Sequence, residues 1–158
     1  MQRKLPLQYK AQCTCNEGYS GPNGGACAAC VPGTYKDVNG ISLCVACGNG
    51  KYVNTSANDE EADCMMCPAF SNSPLASSLL KDCVCNKGYT GPDGVECTAC
   101  IAGTYKDVNG TAQCSLCAKG TYSPSNGTSS CKSCPPFETT LSEGANTSSA
   151  CNCIEVSD

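Results

Sequence analysis

Cysteine recurs along this chain in a fixed order, and the order then repeats. A shift of 70 residues carries Cys13, Cys15, Cys27, Cys30, Cys44 and Cys47 onto Cys83, Cys85, Cys97, Cys100, Cys114 and Cys117. Between 13–52 and 83–122, 23 of 40 positions are identical, and GTYKDVNG stands unchanged at Gly33–Gly40 and Gly103–Gly110. Farther on the offset falls to 67, where Cys64 and Cys67 answer to Cys131 and Cys134. Loop length drifts while cysteine order holds, as expected if cysteines are the framework. Periodicity of this kind marks small units that cannot each bury a core alone. The repeats run over 13–82 and 83–153, with tails at 1–12 and 154–158. Cysteine spacing continues across the boundary without a Pro/Ser-rich linker, which predicts one continuous, elongated array.

Only cross-links can hold such a chain. Leu, Ile, Val and Phe together supply 21 of the 158 residues, and Trp is absent. Ordering the backbone and side chains costs on the order of 1.5 kcal/mol per residue, roughly 240 kcal/mol in all. So few large apolar side chains cannot offset it. A disulfide closing a loop of ~15 residues contributes ~3 kcal/mol by restricting the unfolded chain. The 18 cysteines therefore predict a small disulfide-rich fold of short β-hairpins and loops with little or no helix, placed in an oxidising compartment. Zinc modules also use CxxC pairs. The chain has no His, only 10 Lys plus Arg, and a net charge of −4, which does not fit a nucleic-acid-binding zinc module. No run of 18 apolar residues predicts a membrane span. Residues 1–12 lack the apolar stretch of a secretory signal, which suggests a mature piece or a fragment.

Each repeat reads as four loops. The first is CNxGYxGPxGxxC, at Cys15–Cys27 and Cys85–Cys97. The second, Cys30–Cys44 and Cys100–Cys114, carries Thr-Tyr-Lys-Asp-Val into Asn-Gly, a sequence that predicts a tight type I′ hairpin turn. The third opens CxxGxY and the fourth CPxF, at Cys67–Phe70 and Cys134–Phe137. Only Ser73–Leu80 hints at a helical turn. Six tyrosines, Tyr19, Tyr35, Tyr52, Tyr89, Tyr105 and Tyr122, follow Gly by one or two residues. Such a row could bind a carbohydrate; the simpler reading has each ring covering its own disulfide.

The run CxCNxGYxGPxGxxC resembles the C-terminal half of an EGF-like module. The following CxxGTY…CxxCxxGTY…CxxCP resembles the ephrin-receptor-like cysteine-rich repeat, and the tandem GTYKDVNG runs look most like large surface proteins of algae and protists. The resemblance implies a disulfide ladder in which the cysteine before each GxY bonds the next one along. The pairs are Cys15–Cys27, Cys30–Cys44, Cys47–Cys64, Cys67–Cys83, Cys85–Cys97, Cys100–Cys114, Cys117–Cys131 and Cys134–Cys151. Spacing alone cannot choose this connectivity. Cys13 and Cys153 fall outside the ladder. Three readings stand for them: partners in a longer chain, a bond between Cys13 of one copy and Cys153 of the next, or two thiols.

Four N-x-S/T sequons, Asn54, Asn109, Asn126 and Asn146, are the expected N-glycosylation sites. Without His there is no His-based nucleophile pair or triad, and no enzyme, metal site or cofactor is expected. The acidic run at 58–63, NDEEAD, could offer carboxylates to Ca²⁺ but reads more simply as a solvated loop. The chain is thus expected to be an extracellular or cell-surface structural glycoprotein, rod-like, part of a fibre. A receptor-type ectodomain is the alternative, and it should show a non-repeating apolar patch, which the sequence does not reveal. The N-terminal tail is basic (Arg3, Lys4, Lys10) and carries Leu5, Leu7 and Tyr9; the C-terminal tail is acidic (Glu155, Asp158). Copies are therefore expected to meet head to tail through these ends, or the chain to continue into a longer array.

Overall fold

The computed structural model describes residues 13–154. They divide into two compact units: one up to Cys67 together with Asn72–Cys83, the other Pro68–Ser71 together with Val84 onward. Cys83 thus groups with the first repeat, to which its disulfide with Cys67 ties it. The tail residues expected to dock, Leu5, Leu7, Tyr9, Glu155 and Asp158, lie outside the described residues.

Regular structure is minimal. In the first unit two-residue strands pair antiparallel as Tyr19–Ser20 with Ala28–Ala29, Thr34–Tyr35 with Val45–Ala46, and Lys51–Tyr52 with Met65–Met66. In the second, Tyr89–Thr90 pairs with Thr98–Ala99, Thr104–Tyr105 with Ser115–Leu116, Thr121–Tyr122 with Lys132–Ser133, and Glu138–Thr140 with Cys151–Cys153. Among the described residues three 3-10 turns, Glu61–Asp63, Leu80–Asp82 and Ser148–Ala150, are the helical content. The hint over Ser73–Leu80 gives no helix: only Leu80 enters a turn, whose start Asp82 caps by accepting the Ser78 and Leu79 amides at 3.1 and 2.9 Å.

Eight disulfides close the loops: Cys15–Cys27, Cys30–Cys44, Cys47–Cys64, Cys67–Cys83, Cys85–Cys97, Cys100–Cys114, Cys117–Cys131 and Cys134–Cys151. Cys13 and Cys153 are exposed. The cysteines of the ladder are the apolar core: Cys15, Cys30, Cys47, Cys83, Cys85, Cys100 and Cys117 are fully buried, with Val53 beside them.

Each loop opens with the same four-residue turn. Its fourth amide donates to its first carbonyl, as Thr34 N to Val31 O at 3.1 Å and Thr104 N to Ile101 O at 3.0 Å. Its third residue has positive φ, the type II arrangement that favours glycine. That residue is Gly18, Gly33 or Gly50 in the first unit, and Phe70, Gly88, Gly103, Gly120 or Phe137 in the second. Two of the eight positions thus hold phenylalanine.

The Asn-Gly expectation needs correction. The strands Thr34–Tyr35 and Val45–Ala46 do pair, but Asn39 and Gly40 lie within the long connection between them, not in a two-residue turn. Only Gly40 of the two has positive φ, so the turn is not type I′. The dipeptide binds the preceding loop instead: Gly40 N donates to Cys15 O at 2.8 Å and Glu17 N to Asn39 Oδ1 at 3.2 Å. Gly110 N and Asn109 Oδ1 repeat this against Cys85 O and Lys87 N, at 2.8 and 3.0 Å. These bonds to a neighbouring loop outweigh the local hairpin preference.

Candidate functional site

Three residues beyond the turn glycine, the chain points inward. Counting from the turn phenylalanines as well, Gly21 and Gly91 hold that position in two of the eight turns and are only half-buried. In the other six it is buried, at Lys36, Val53, Ser73, Lys106, Ser123 and Thr140. Two of them are lysines, 1% and 2% exposed. A lysine so buried must find partners for its ammonium. Lys36 Nζ donates to the carbonyls of Cys15, Asn16 and Tyr19 at 3.4, 3.2 and 2.7 Å. Lys106 Nζ donates to those of Asn86, Tyr89 and Gly110 at 3.5, 2.6 and 2.5 Å. Each ammonium therefore gathers main-chain acceptors of the preceding loop, Cys15–Cys27 or Cys85–Cys97; in the second repeat it also holds its own loop's Gly110. Burial pulls the pKa of Lys106 below its ordinary value, and the Asp93 carboxylate works in the other direction. The Thr-Tyr-Lys-Asp-Val run leading into Asn-Gly places these lysines in a hairpin stem. Their one signal was the repetition of an unchanged lysine between Tyr and Asp.

A second lock is made of main chain alone. Gly33 N donates to Val53 O and Gly103 N to Ser123 O, both at 2.8 Å. The carbonyls of Gly33 and Gly103 accept from Cys47 N and Cys117 N at 2.8 and 2.9 Å. Ala76 and Gly144, themselves at positive φ, lie over these two glycines.

The tyrosines differ from expectation in detail. Tyr35 packs against the cluster of Cys47, Cys64 and Val53, so its ring reaches the disulfide of the next loop, Cys47–Cys64. Tyr89 instead stacks on Phe70, with ring centroids 4.3 Å apart and planes 7° from parallel.

The acidic run at 58–63 is a folded turn. Asp63 Oδ2 accepts the amides of Asp59 and Glu60 at 3.0 and 3.3 Å. Glu61 pairs with Lys51 at 2.8 Å, and that hydrogen bond lowers the carboxyl pKa. Asn58 is buried, with its side chain bonded to Thr55 and Thr34. Among the described residues no three of His, Cys, Asp and Glu are grouped to hold a metal ion.

All four sequon asparagines are exposed. Asn109 Oδ1 accepts from Lys87 N at 3.0 Å and Asn126 Oδ1 from Ala102 N at 2.8 Å. Each bond uses the oxygen and leaves Nδ2, the atom that carries a glycan.

The apolar surface also departs from the sequence reading, which found no non-repeating patch. Ile41, Leu43 and Val45 are 64%, 79% and 50% exposed, whereas the matching positions of the second repeat are Thr111, Gln113 and Ser115. Ile41 and Leu43 form one wall of an open groove of about 500 Å³, with Ser20–Asn23 as the other. The difference is visible in the sequence, because the unbroken run of identity between the repeats ends at Gly40.

Comparison with known proteins places part of the chain. Residues 108–151 match the family model described as tyrosine-protein kinase ephrin type A/B receptor-like. This bears out the resemblance drawn from the CxxGTY…CxxC pattern. The chain is also 33% identical over 82 residues to a rat (Rattus norvegicus) protein, the sushi, von Willebrand factor type A, EGF and pentraxin domain-containing protein 1. That match takes in 49% of this chain and 2% of the relative's length.

Proposed function

We propose that this chain is a structural segment of an extracellular, N-glycosylated cysteine-rich repeat protein. Its work is mechanical: a stiff, protease-resistant length within a cell-surface or appendage fibre. The observation that carries this is the recurrence of one lock in both units, a lysine ammonium holding the carbonyls of the loop before it. Disulfides close each loop but leave neighbouring loops joined only by CxC and CxxC hinges. The lysine cage and the glycine contacts act across those hinges and hold each loop against its neighbour. The oxidised cysteines and the ephrin-receptor-like module support an extracellular location.

Protease digestion under non-reducing conditions tests this reading, followed by peptide mass analysis of material from the natural source. The expected result is a chain that survives from Cys15 to Cys151 until reduced, with glycan on Asn109 and Asn126. Rapid cleavage within the oxidised loops, or unmodified Asn at both positions, argues against it.

One observation favours a second reading, a receptor-type ectodomain with a protein ligand: the patch of Ile41, Leu43 and Val45, confined to the first repeat. Under that reading Leu43→Ser weakens cell-surface or ligand binding by tenfold or so, about 1.4 kcal/mol, while Gln113→Ser does nothing. Equal binding by both variants removes the ligand reading.

A further inference from the structure

We infer that the Asn-Gly pairs of this chain are deamidation sites held shut by the disulfide ladder, so that reduction opens them to modification. There are five: Asn23-Gly24, Asn39-Gly40, Asn49-Gly50, Asn109-Gly110 and Asn126-Gly127. In this dipeptide an asparagine readily loses its amide, because glycine has no side chain to hinder its own nitrogen. That nitrogen gives up its proton to solvent and attacks Cγ of the asparagine. The N–Cγ bond forms, the Cγ–Nδ2 bond breaks, and Nδ2 leaves as ammonia with a proton taken from water. Water then opens the cyclic succinimide. Opening on the side-chain side leaves aspartate; opening on the main-chain side leaves isoaspartate, with the chain rerouted through Cβ and Cγ.

Burial does not protect these pairs. All five asparagines are exposed, and all five glycines are only half-buried. What the pairs share is a glycine amide already in use. Gly24 N donates to Cys13 O at 2.7 Å, Gly40 N to Cys15 O at 2.8 Å, Gly110 N to Cys85 O at 2.8 Å and Gly127 N to Cys100 O at 2.7 Å. Gly50 N donates to Ser73 O at 3.0 Å. To attack, each nitrogen must first let go of that carbonyl. At Asn39, Asn109 and Asn126 the other reactant is fixed as well, because Oδ1 accepts the amides of Glu17, Lys87 and Ala102. All five glycines have positive φ, a backbone that favours glycine over other residues. The fold therefore keeps a chemically weak dipeptide and shields it.

The shield depends on the disulfides. The acceptors Cys15, Cys85 and Cys100 are themselves bonded, to Cys27, Cys97 and Cys114. Gly24 lies within the loop Cys15–Cys27, and Ser73 within Cys67–Cys83. A thiol reductant is oxidised to its own disulfide as it reduces an S–S bond to a pair of cysteine thiols. The freed loop has no large apolar core to hold its carbonyl against the glycine amide. Isoaspartate then adds a carbon to the main chain and displaces that amide from its carbonyl when the disulfide re-forms. Reduction, reversible in itself, thereby leaves a permanent mark.

The test uses the full chain made without glycan, because Asn109 and Asn126 are also sequons. One portion is kept oxidised and one is kept reduced with dithiothreitol, both at mildly alkaline pH, and each pair is followed by peptide mass analysis. Every pair should lose its amide about tenfold more slowly, or slower still, in the oxidised chain. Equal rates in the two portions overturn the inference. The double variant Cys85→Ser, Cys97→Ser narrows the test, because it unties the acceptor of Gly110 alone. Asn109 should then approach the rate of the reduced chain. Asn39, its counterpart in the first repeat, should keep the oxidised rate, which also shows that the variant folds. Asn109 staying as slow as Asn39 in that variant overturns the inference.

Discussion

Gly103→Ala is expected to destabilise the oxidised protein by about 3–5 kcal/mol, while Gly110→Ala, seven residues away, destabilises it by about 1–2 kcal/mol. Both glycines have positive φ, 85° and 106°, so both variants carry the backbone strain of an alanine there. They differ in surroundings. A methyl on Gly103 would lie 2.2 Å from the carbonyl oxygen of Gly144, whereas one on Gly110 meets nothing within 4 Å. The oxygen cannot retreat freely. Gly144 N is bound to Cys117 O, Cys117 N to Gly103 O, and Gly103 N to Ser123 O, all at 2.8–2.9 Å. The clash therefore spreads into the main chain on both sides of the Cys117–Cys131 bond. Guanidinium unfolding with disulfides intact, followed by tyrosine fluorescence, measures the two midpoints. Equal midpoints would show that the close approach to Gly144 carries no weight.

That contact also marks where the sequence stopped being readable. The position of Gly103 is plain in the repeat: a glycine two residues before tyrosine in a loop opened by cysteine signals a turn. Its partner is not plain, because the residue laid over each turn glycine changes from Ala76 to Gly144 between repeats and sits some forty residues downstream. No fixed letter announces it. The disulfide pairing came through family resemblance for the same reason, since spacing alone admits many connectivities. Local reading failed at Asn39-Gly40 and Asn109-Gly110, where hydrogen bonds to another loop replaced the hairpin turn that the dipeptide favours in isolation. It failed again at Ile41 and Leu43, apolar positions that Thr111 and Gln113 replace in the second repeat.

Lys106→Ala should be nearly as damaging, by about 3–5 kcal/mol, and Lys106→Met less so. The alanine leaves the carbonyls of Asn86, Tyr89 and Gly110 without their charged donor and empties the channel filled by the lysine stem. Methionine keeps the packing of the stem and loses only the hydrogen bonds. The sign with pH follows from the lowered pKa of Lys106, which burial causes and Asp93 partly opposes. A folded pKa below the unfolded one means that folding disfavours the bound proton. The penalty is present in full below the folded value and disappears as pH rises toward the unfolded value. The wild type should therefore gain on Lys106→Met as pH climbs through that window. Covalent labelling gives an independent check of the cage. N-hydroxysuccinimide acetate should modify the exposed Lys81, Lys87, Lys119 and Lys132 in the oxidised protein and spare Lys36 and Lys106. After reduction and unfolding all six should react. If Lys106 is acetylated as fast as Lys119 in the oxidised protein, its ammonium is not held inside the cage. The loops would then be joined by disulfides and glycine contacts alone.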